Sequence, residues 1–179
     1  MPAPRLNVNV SYAEPVNRPG DEPVLTFDDV WQGIVDGAHN PPSMASYVAS
    51  CEILSESEDK LKFRRKLILA NGAVHTGAGE AIIQDVIVRP KMNVEAKTVD
   101  TGAATTFGVT LGTGEPQDPE RPDIYLVTAY ELWMDGVEEG TKEAEDVRVN
   151  YRALARGATI DGVKTFRRWK VEGKIGNKP

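Results

Sequence analysis

The sequence is poor in the residues that bind transition metals or form disulfides, since its 179 residues include one cysteine and two histidines. Cys51 has no partner for an internal disulfide and cannot supply a cysteine-based zinc site. His39 and His75 lie in segments rich in Gly, Asn and Pro, where their loose spacing could at most let them join a mixed site. We therefore expect no metal, and no motif indicates a cofactor.

Long apolar runs and basic surfaces are also missing. No segment approaches the roughly 18 apolar residues that span a bilayer, and the amino terminus MPAPRLNVNV has no apolar signal region. The 21 Lys and Arg are mixed among 27 Asp and Glu, so no basic face is available for a phosphate backbone. We expect a cytoplasmic protein that neither inserts into a membrane nor binds nucleic acid.

The signatures of common catalytic sites are absent as well. There is no G-x-S-x-G elbow, Walker loop or H-E-x-x-H pair, and GAGE at 77–80 precedes a strand, whereas a dinucleotide site needs a following helix. Cys51 is interpreted as a buried strand thiol rather than a nucleophile, because neither histidine is predicted beside it. Function must therefore be sought in less specific patterns.

What is present is a sequence of strands and helices in a clear order. The hydrophobic content of 40% suits one core, so we predict a single domain over 1–179 with its core at about 6–175. LNVNVSYAEPV (6–16) alternates as a strand. TFDDVWQGIVDGA then predicts an amphipathic helix with Thr26 as its cap, followed by a short helical piece around 43–48.

The centre of the chain has a period close to two, and its end has a helical period. Turn signals divide the centre into six predicted strands linked mostly as hairpins, at 50–56, 60–70, 79–89, 93–99, 103–111 and 123–134. A single helix is predicted from Lys142 to about Gly173. This order predicts an α+β fold, in which a curved seven-stranded antiparallel sheet wraps around a long carboxy-terminal helix, with two short helices after the first strand.

The apolar side of the long helix has a small middle, and two interpretations remain open. Tyr151 and Phe166 are bulky, whereas the residues between them are small, chiefly Ala155, Ala158 and Gly162. Small residues allow close packing on the sheet, or they leave a cavity for an apolar ligand. The cavity hypothesis predicts ligand contacts from the following residues of the sheet and helix: Phe63, Gln84, Phe107, Thr128, Ala155, Ala158 and Gly162.

Arg65 interrupts the apolar face of the strand KLKFRRKLIL (60–69). A buried charge is costly, so Arg65 either points into the cavity or packs its stem and pairs with an internal acid. Its neighbour on the next strand is Gln84, or Asp85 if the phase of that strand is reversed. In the cavity, its guanidinium could bind a carboxylate, carbonyl or enolate oxygen.

Five segments in register resemble a known family. VLTFDDVWQG (24–33), SCEIL (50–54), RKLIL (65–69), DGVEEGT (135–141) and VEGKI (171–175) resemble the AtaL-like branch of the SRPBCC helix-grip superfamily, over about 8–175. The superfamily also includes START lipid carriers, plant proteins of the birch-pollen allergen type and polyketide aromatase/cyclases. The resemblance implies a helix-grip fold with a deep cavity. It also implies that Arg65 matches an arginine of the third strand, whereas Gln84 stands where an acid is common, which favours an anionic or enolic ligand unless Asp85 substitutes.

Two functions remain open, and both need a small molecule as partner. The first is a tailoring enzyme, a cyclase, isomerase or dehydratase acting on a carbonyl-rich intermediate. In it, Arg65 stabilises an oxyanion and Tyr130 or Tyr151 moves protons. The second is a carrier or sensor that only binds an apolar metabolite. The combination of Arg65 with two tyrosines favours the enzyme, and the chain is expected to be a monomer or homodimer.

Overall fold

A computed structural model describes residues 4–72, 77–114 and 117–176. Its seven strands are β1 (Arg5–Pro15), β2 (Val48–Glu56), β3 (Lys62–Leu69), β4 (Ala81–Arg89), β5 (Asn93–Thr98), β6 (Ala104–Leu111) and β7 (Ile124–Asp135). They form one antiparallel sheet in the order β1-β7-β6-β5-β4-β3-β2. The helices are α1 (Phe27–His39), a 3-10 turn (Pro41–Ser43) and α2 (Lys142–Val171).

The predicted helix-grip fold is confirmed. The second short helix lies earlier than expected, at Pro41–Ser43 instead of 43–48. Pro41 begins this turn, which suits proline because the first helical N–H needs no partner. An irregular segment at 44–47 follows, and β2 begins at Val48. The backbone N–H of Ala70 donates to the carbonyl of Tyr47 at 2.8 Å.

The start of α1 is fixed by its own sequence and by the end of α2. The Thr26 hydroxyl accepts from the backbone N–H of Asp29 at 3.1 Å, and the Asp29 carboxylate accepts from the backbone N–H of Thr26 at 2.8 Å. The two bonds form a capping box, and Thr26 is the cap as predicted. Asp29 is buried and also pairs with Lys170 Nζ at 2.9 Å, so the two helices are joined at this end of the sheet.

The centre and carboxy-terminal half of α2 pack closely against their neighbours. A Cβ added to Gly162 would lie 2.8 Å from Leu126 Cδ2 of β7, and one added to Gly33 of α1 would lie 2.5 Å from the ring of Phe166. Both glycines are therefore needed for close approach. The small middle of α2 thus packs on the sheet here and does not leave open space beneath it.

The amino-terminal half of α2 has a different environment. Tyr151 and Ala155 pack with residues of β1 and β7 in an apolar cluster. Tyr151 and Leu154 also border a cavity. None of the helices in the described ranges combines the length and apolarity required to cross a bilayer.

Candidate functional site

A cavity of about 290 Å³ lies between the sheet, the end of α1 with the segment that follows it, and the amino-terminal half of α2. This volume is at the small end of the range for ligand sites, about 300–1,000 Å³. Most of the wall is apolar, and representative members are Ile34, Met44, Leu67, Ile82, Met134 and Leu154. The polar side chains of the wall include Tyr47, Arg65, Gln84, Thr98, Tyr130 and Tyr151.

Arg65 lies in this wall and is 8% exposed. Its register opposite Gln84 places both side chains on the same face of the sheet. Arg65 Nε and Nη2 donate to Gln84 Oε1 at 3.0 and 2.7 Å, and Nη1 donates to the carbonyl of Ala38 at the end of α1. Burial lowers the pKa of Arg65 to about 10, so the guanidinium remains charged at neutral pH.

The choice between Gln84 and Asp85 is settled by β4. Gln84 faces the cavity and its Nε2 donates to Thr98 Oγ1 of β5 at 3.3 Å. Asp85 lies on the outer face, where its two oxygens accept from Arg64 at 2.6 and 2.9 Å. These hydrogen bonds lower the pKa of the Asp85 carboxyl. Asp85 therefore cannot act as the counter-ion of Arg65.

Two tyrosines and one phenylalanine form an aromatic group at the other side of the cavity. The ring of Tyr130 lies 5.9 Å from that of Tyr151 and 6.2 Å from that of Phe107, both in edge-to-face geometry. Tyr130 is 4% exposed, and its hydroxyl has no hydrogen-bond partner among the described residues. Burial raises the pKa of both tyrosines, so both phenols keep their protons at neutral pH.

The sequence has known relatives. A sequence model of the family described as "Acetylaranotin biosynthesis cluster protein L" (AtaL) matches residues 10–173. The protein of that name from Aspergillus terreus (strain NIH 2624 / FGSC A1156) is 37% identical over 168 residues, which cover 93% of this chain and 92% of that protein. The chain belongs to the AtaL family.

Solved structures with the same fold are more distant from this AtaL-family chain. The di-domain ARO/CYC StfQ of the steffimycin biosynthetic pathway is 14% identical with a TM-score of 0.63, covering 93% of this chain and 52% of that one. The Zhui aromatase/cyclase from Streptomyces sp. R1128 is 11% identical with a TM-score of 0.59, covering 93% and 96%. At these identities the likeness shows the fold alone.

The predicted site residues, catalytic (Arg65, Tyr130 and Tyr151) and ligand-binding, fall into two groups in the AtaL-family structure. Arg65, Gln84, Phe107, Tyr130 and Tyr151 all lie in the cavity wall. The residues that lie elsewhere are Phe63, Thr128, Ala155, Ala158 and Gly162.

The residues of the second group pack against other side chains and do not line the cavity. The cavity therefore does not lie where the sequence analysis placed it. Thr128 Oγ1 lies 2.5 Å from Thr159 Oγ1, and Thr159 also donates to the carbonyl of Ala155 at 2.7 Å. Ala155 and Ala158 pack in the cluster between α2 and the sheet. Phe63 instead stacks on the ring of His39, with centroids 4.3 Å apart. The cavity therefore lies to one side of the helix centre.

Sequence reasoning missed several polar residues of the wall, among them Tyr47 and Thr98. Tyr47 lies in an irregular segment that was predicted as helix, so no periodicity assigned it a face. Thr98 lies directly opposite Gln84 in the register of β4 and β5. The alternation of Val94, Ala96 and Thr98 in the predicted strand at 93–99 was the signal that could have identified Thr98.

The imidazole of His39 is not the hydrogen-bond partner of Cys51. The Sγ of Cys51 donates to the backbone carbonyl of His39 at 3.8 Å, while the His39 ring bonds Val35 O and Glu56 Oε1, each at 2.9 Å. Burial raises the pKa of the Cys51 thiol. His75 lies outside the described residues. Within the described ranges, no group of three or more His, Cys, Asp or Glu side chains is placed to share a metal ion.

The unpartnered hydroxyl of Tyr130 leads to a prediction. Tyr130→Phe removes a buried polar group without changing the packing, so the free energy of unfolding should stay the same or rise by up to about 1 kcal/mol. Ligand affinity or turnover should fall, because the hydroxyl is free to bond a ligand. Denaturant unfolding and a ligand assay measure the two effects. Tyr125→Phe, on the outer face of the same strand, is the control and should leave ligand handling unchanged; a large loss of stability in Tyr130→Phe would contradict the prediction.

Proposed function

We propose that the chain binds a small, largely apolar, carbonyl-rich intermediate in this cavity and acts on it as a secondary-metabolite cyclase, isomerase or dehydratase. The observation on which this depends is Arg65: a charged guanidinium, buried in an apolar cavity, with no carboxylate within ion-pair distance among the described residues. The name of the Aspergillus relative supports this class of pathway, and the fold is one that aromatase/cyclases also use.

The chemistry proposed for the cavity depends on the protonation states of the side chains that line it. Enolisation or carbon–carbon bond formation places negative charge on a carbonyl oxygen, and preorganised donors in a dry site stabilise such charge strongly. Arg65 supplies a positive charge and N–H donors, and Tyr130 supplies an O–H donor. Because burial raises the pKa of Tyr130 and Tyr151, these phenols keep their protons at neutral pH; they are suited to donate a hydrogen bond to a developing oxyanion and poorly suited to give up or take a proton.

A specific observation favours a second candidate, a carrier that binds without reaction. The described cavity wall contains no His, Asp or Glu side chain. An enzyme of the proposed class therefore depends on the acidity of its own substrate, or on water, for the base. A carrier needs only the donors of Arg65 and Tyr130 as polar anchors for an apolar molecule.

One experiment separates the two candidates. A host that lacks this protein is compared with the wild type by mass spectrometry, and the compound that accumulates is isolated and incubated with the purified protein. Conversion to a product found in the wild-type host supports the enzyme. Binding without a change of mass supports the carrier, and neither binding nor conversion contradicts both.

The pH profile of the reaction is expected to be unusual. Because no described side chain of the wall is His, Asp or Glu, kcat/KM should show no ionisation of the protein between about pH 6 and 9. It should fall as the pH rises through about 10, where Arg65 loses its proton and with it the charge that stabilises the oxyanion. Steady-state kinetics across this range make the measurement. A rate that falls by tenfold near pH 6–7 would show instead that an imidazole or carboxylate controls the reaction.

A further inference from the structure

Gln84 contacts Arg65 through a single neutral oxygen. Arg65 Nε and Nη2 both donate to Gln84 Oε1, and the other end of the amide donates to Thr98. The two contacts fix the orientation of the amide, because the oxygen only accepts and the nitrogen only donates. Gln84 therefore holds one edge of the guanidinium in place without adding a negative charge.

No acid in the described residues neutralises this guanidinium. The adjacent acid, Asp85, is held on the outer face of the sheet by Arg64. The titratable groups that interact electrostatically with Arg65 are Tyr47 and Cys51, and burial raises the pKa of both, so both are neutral at neutral pH. The positive charge of Arg65 is thus not balanced within this group.

The guanidinium also has more N–H donors than the described residues engage. Arginine has five N–H groups. The described residues engage three of them, two through Gln84 and one through the carbonyl of Ala38. The two remaining N–H groups belong to a side chain in the cavity wall, where a ligand can accept from them.

We infer that Gln84 is a specificity-determining residue: it positions Arg65 but leaves its charge unbalanced, so the cavity prefers a ligand whose polar end is an anion, such as a carboxylate, enolate or phenolate. This inference rests on the proposed function, since it concerns the ligand of the same cavity. A glutamate at position 84 has almost the same shape and would neutralise Arg65 from within, in competition with the ligand.

The test uses two probes of equal shape and different charge, 2-naphthoate and 2-naphthamide, titrated calorimetrically at neutral pH. The wild type should bind the anionic naphthoate about tenfold or more tightly than the neutral amide, the ratio expected when a hydrogen bond gains a charge. Gln84→Glu should lose this preference or reverse it. Asn150→Asp makes the same amide-to-carboxylate change on the exposed side of α2 and should keep the wild-type ratio.

Thermal unfolding without any probe provides the second readout. If the charge of Arg65 is unbalanced, Gln84→Glu creates a buried ion pair and the melting temperature should be close to that of the wild type or higher. If Arg65 already has a counter-ion, the new carboxylate is an unpaired buried charge and the melting temperature should fall by roughly 10 °C or more. That fall would overturn the inference.

Three binding results would also overturn it: equal affinity of the wild type for both probes, an unchanged preference in Gln84→Glu, or no binding of naphthoate at millimolar concentration. These results are distinguishable from failure of the proposed function. A wild type that converts the accumulated host compound but has no preference between the probes retains its function and refutes the role of Gln84. A clear preference without conversion supports the role of Gln84 in a carrier.

Discussion

The Arg65→Met variant is expected to lose ligand affinity or turnover by about 10–150-fold, which corresponds to roughly 1.5–3 kcal/mol for hydrogen bonds to a charged group. Methionine keeps most of the apolar stem but has neither the charge nor the N–H donors. Two effects on stability oppose each other. Removing a desolvated charge is favourable, but the carbonyl of Ala38 and the Oε1 of Gln84 lose their donors, which costs about 1–3 kcal/mol.

A double variant separates ligand binding from stability. Arg65→Met with Gln84→Leu removes both partners of the polar pair, so its free energy of unfolding should recover towards the wild-type value while ligand handling stays lost. Arg64→Met is the control, because Arg64 lies on the same strand but on the outer face of the sheet. Strong destabilisation of the double variant together with normal ligand handling would show that Arg65 is structural only.

The Gly162→Leu variant is expected to be less stable than the wild type by about 1–3 kcal/mol, because its side chain must enter the packed contact with Leu126. Gly157→Leu is the matched control in the same helix. An added Cβ at Gly157 has no neighbour within 4 Å, so this variant should gain about 0.5–1 kcal/mol from helix propensity. Chemical denaturation of the three proteins makes the comparison.

Ligand binding should follow the position of the cavity and not the position of the helix centre. The folded fraction of Gly162→Leu should bind ligand normally, whereas Ala96→Leu should lose binding with little change in stability, because Ala96 lies in the cavity wall and the added atoms enter open space. If Gly162→Leu folds as stably as the wild type and loses its ligand, the cavity extends beneath the centre of α2 and its position in this account is wrong.

The fold and one half of the site could be predicted because a β-strand has a strict period of two. Tyr130 and Phe107 were both assigned to the inner faces of their strands. Because β6 and β7 are neighbours in the sheet, contact between the two rings could be expected. Arg65 was recognisable because it broke an apolar face. The sequence left open which face of β4 points inward, because its two faces are nearly equally apolar. The pairing of Asp85 with Arg64 on the outer face resolves this ambiguity.

The other half of the site could not be predicted, for two physical reasons. Small residues on a helix are compatible with close packing and with an open space, and the difference depends on what the sheet presents opposite them. Leu126 fills the space opposite Gly162. The segment at 40–47 has no period at all, so the position of Tyr47 beside Arg65 depends on tertiary contacts that no local pattern encodes.

The most direct test of the central claim is a crystal structure of the protein with the compound that accumulates in a host lacking it. The account predicts that the compound occupies the cavity between α1, α2 and the sheet, with one of its oxygens within hydrogen-bond distance of the guanidinium of Arg65 and the hydroxyl of Tyr130. A ligand bound instead in the shallow depression on the outer face of the sheet, beside Asn9, Thr106 and Glu131, with the cavity empty, would contradict it.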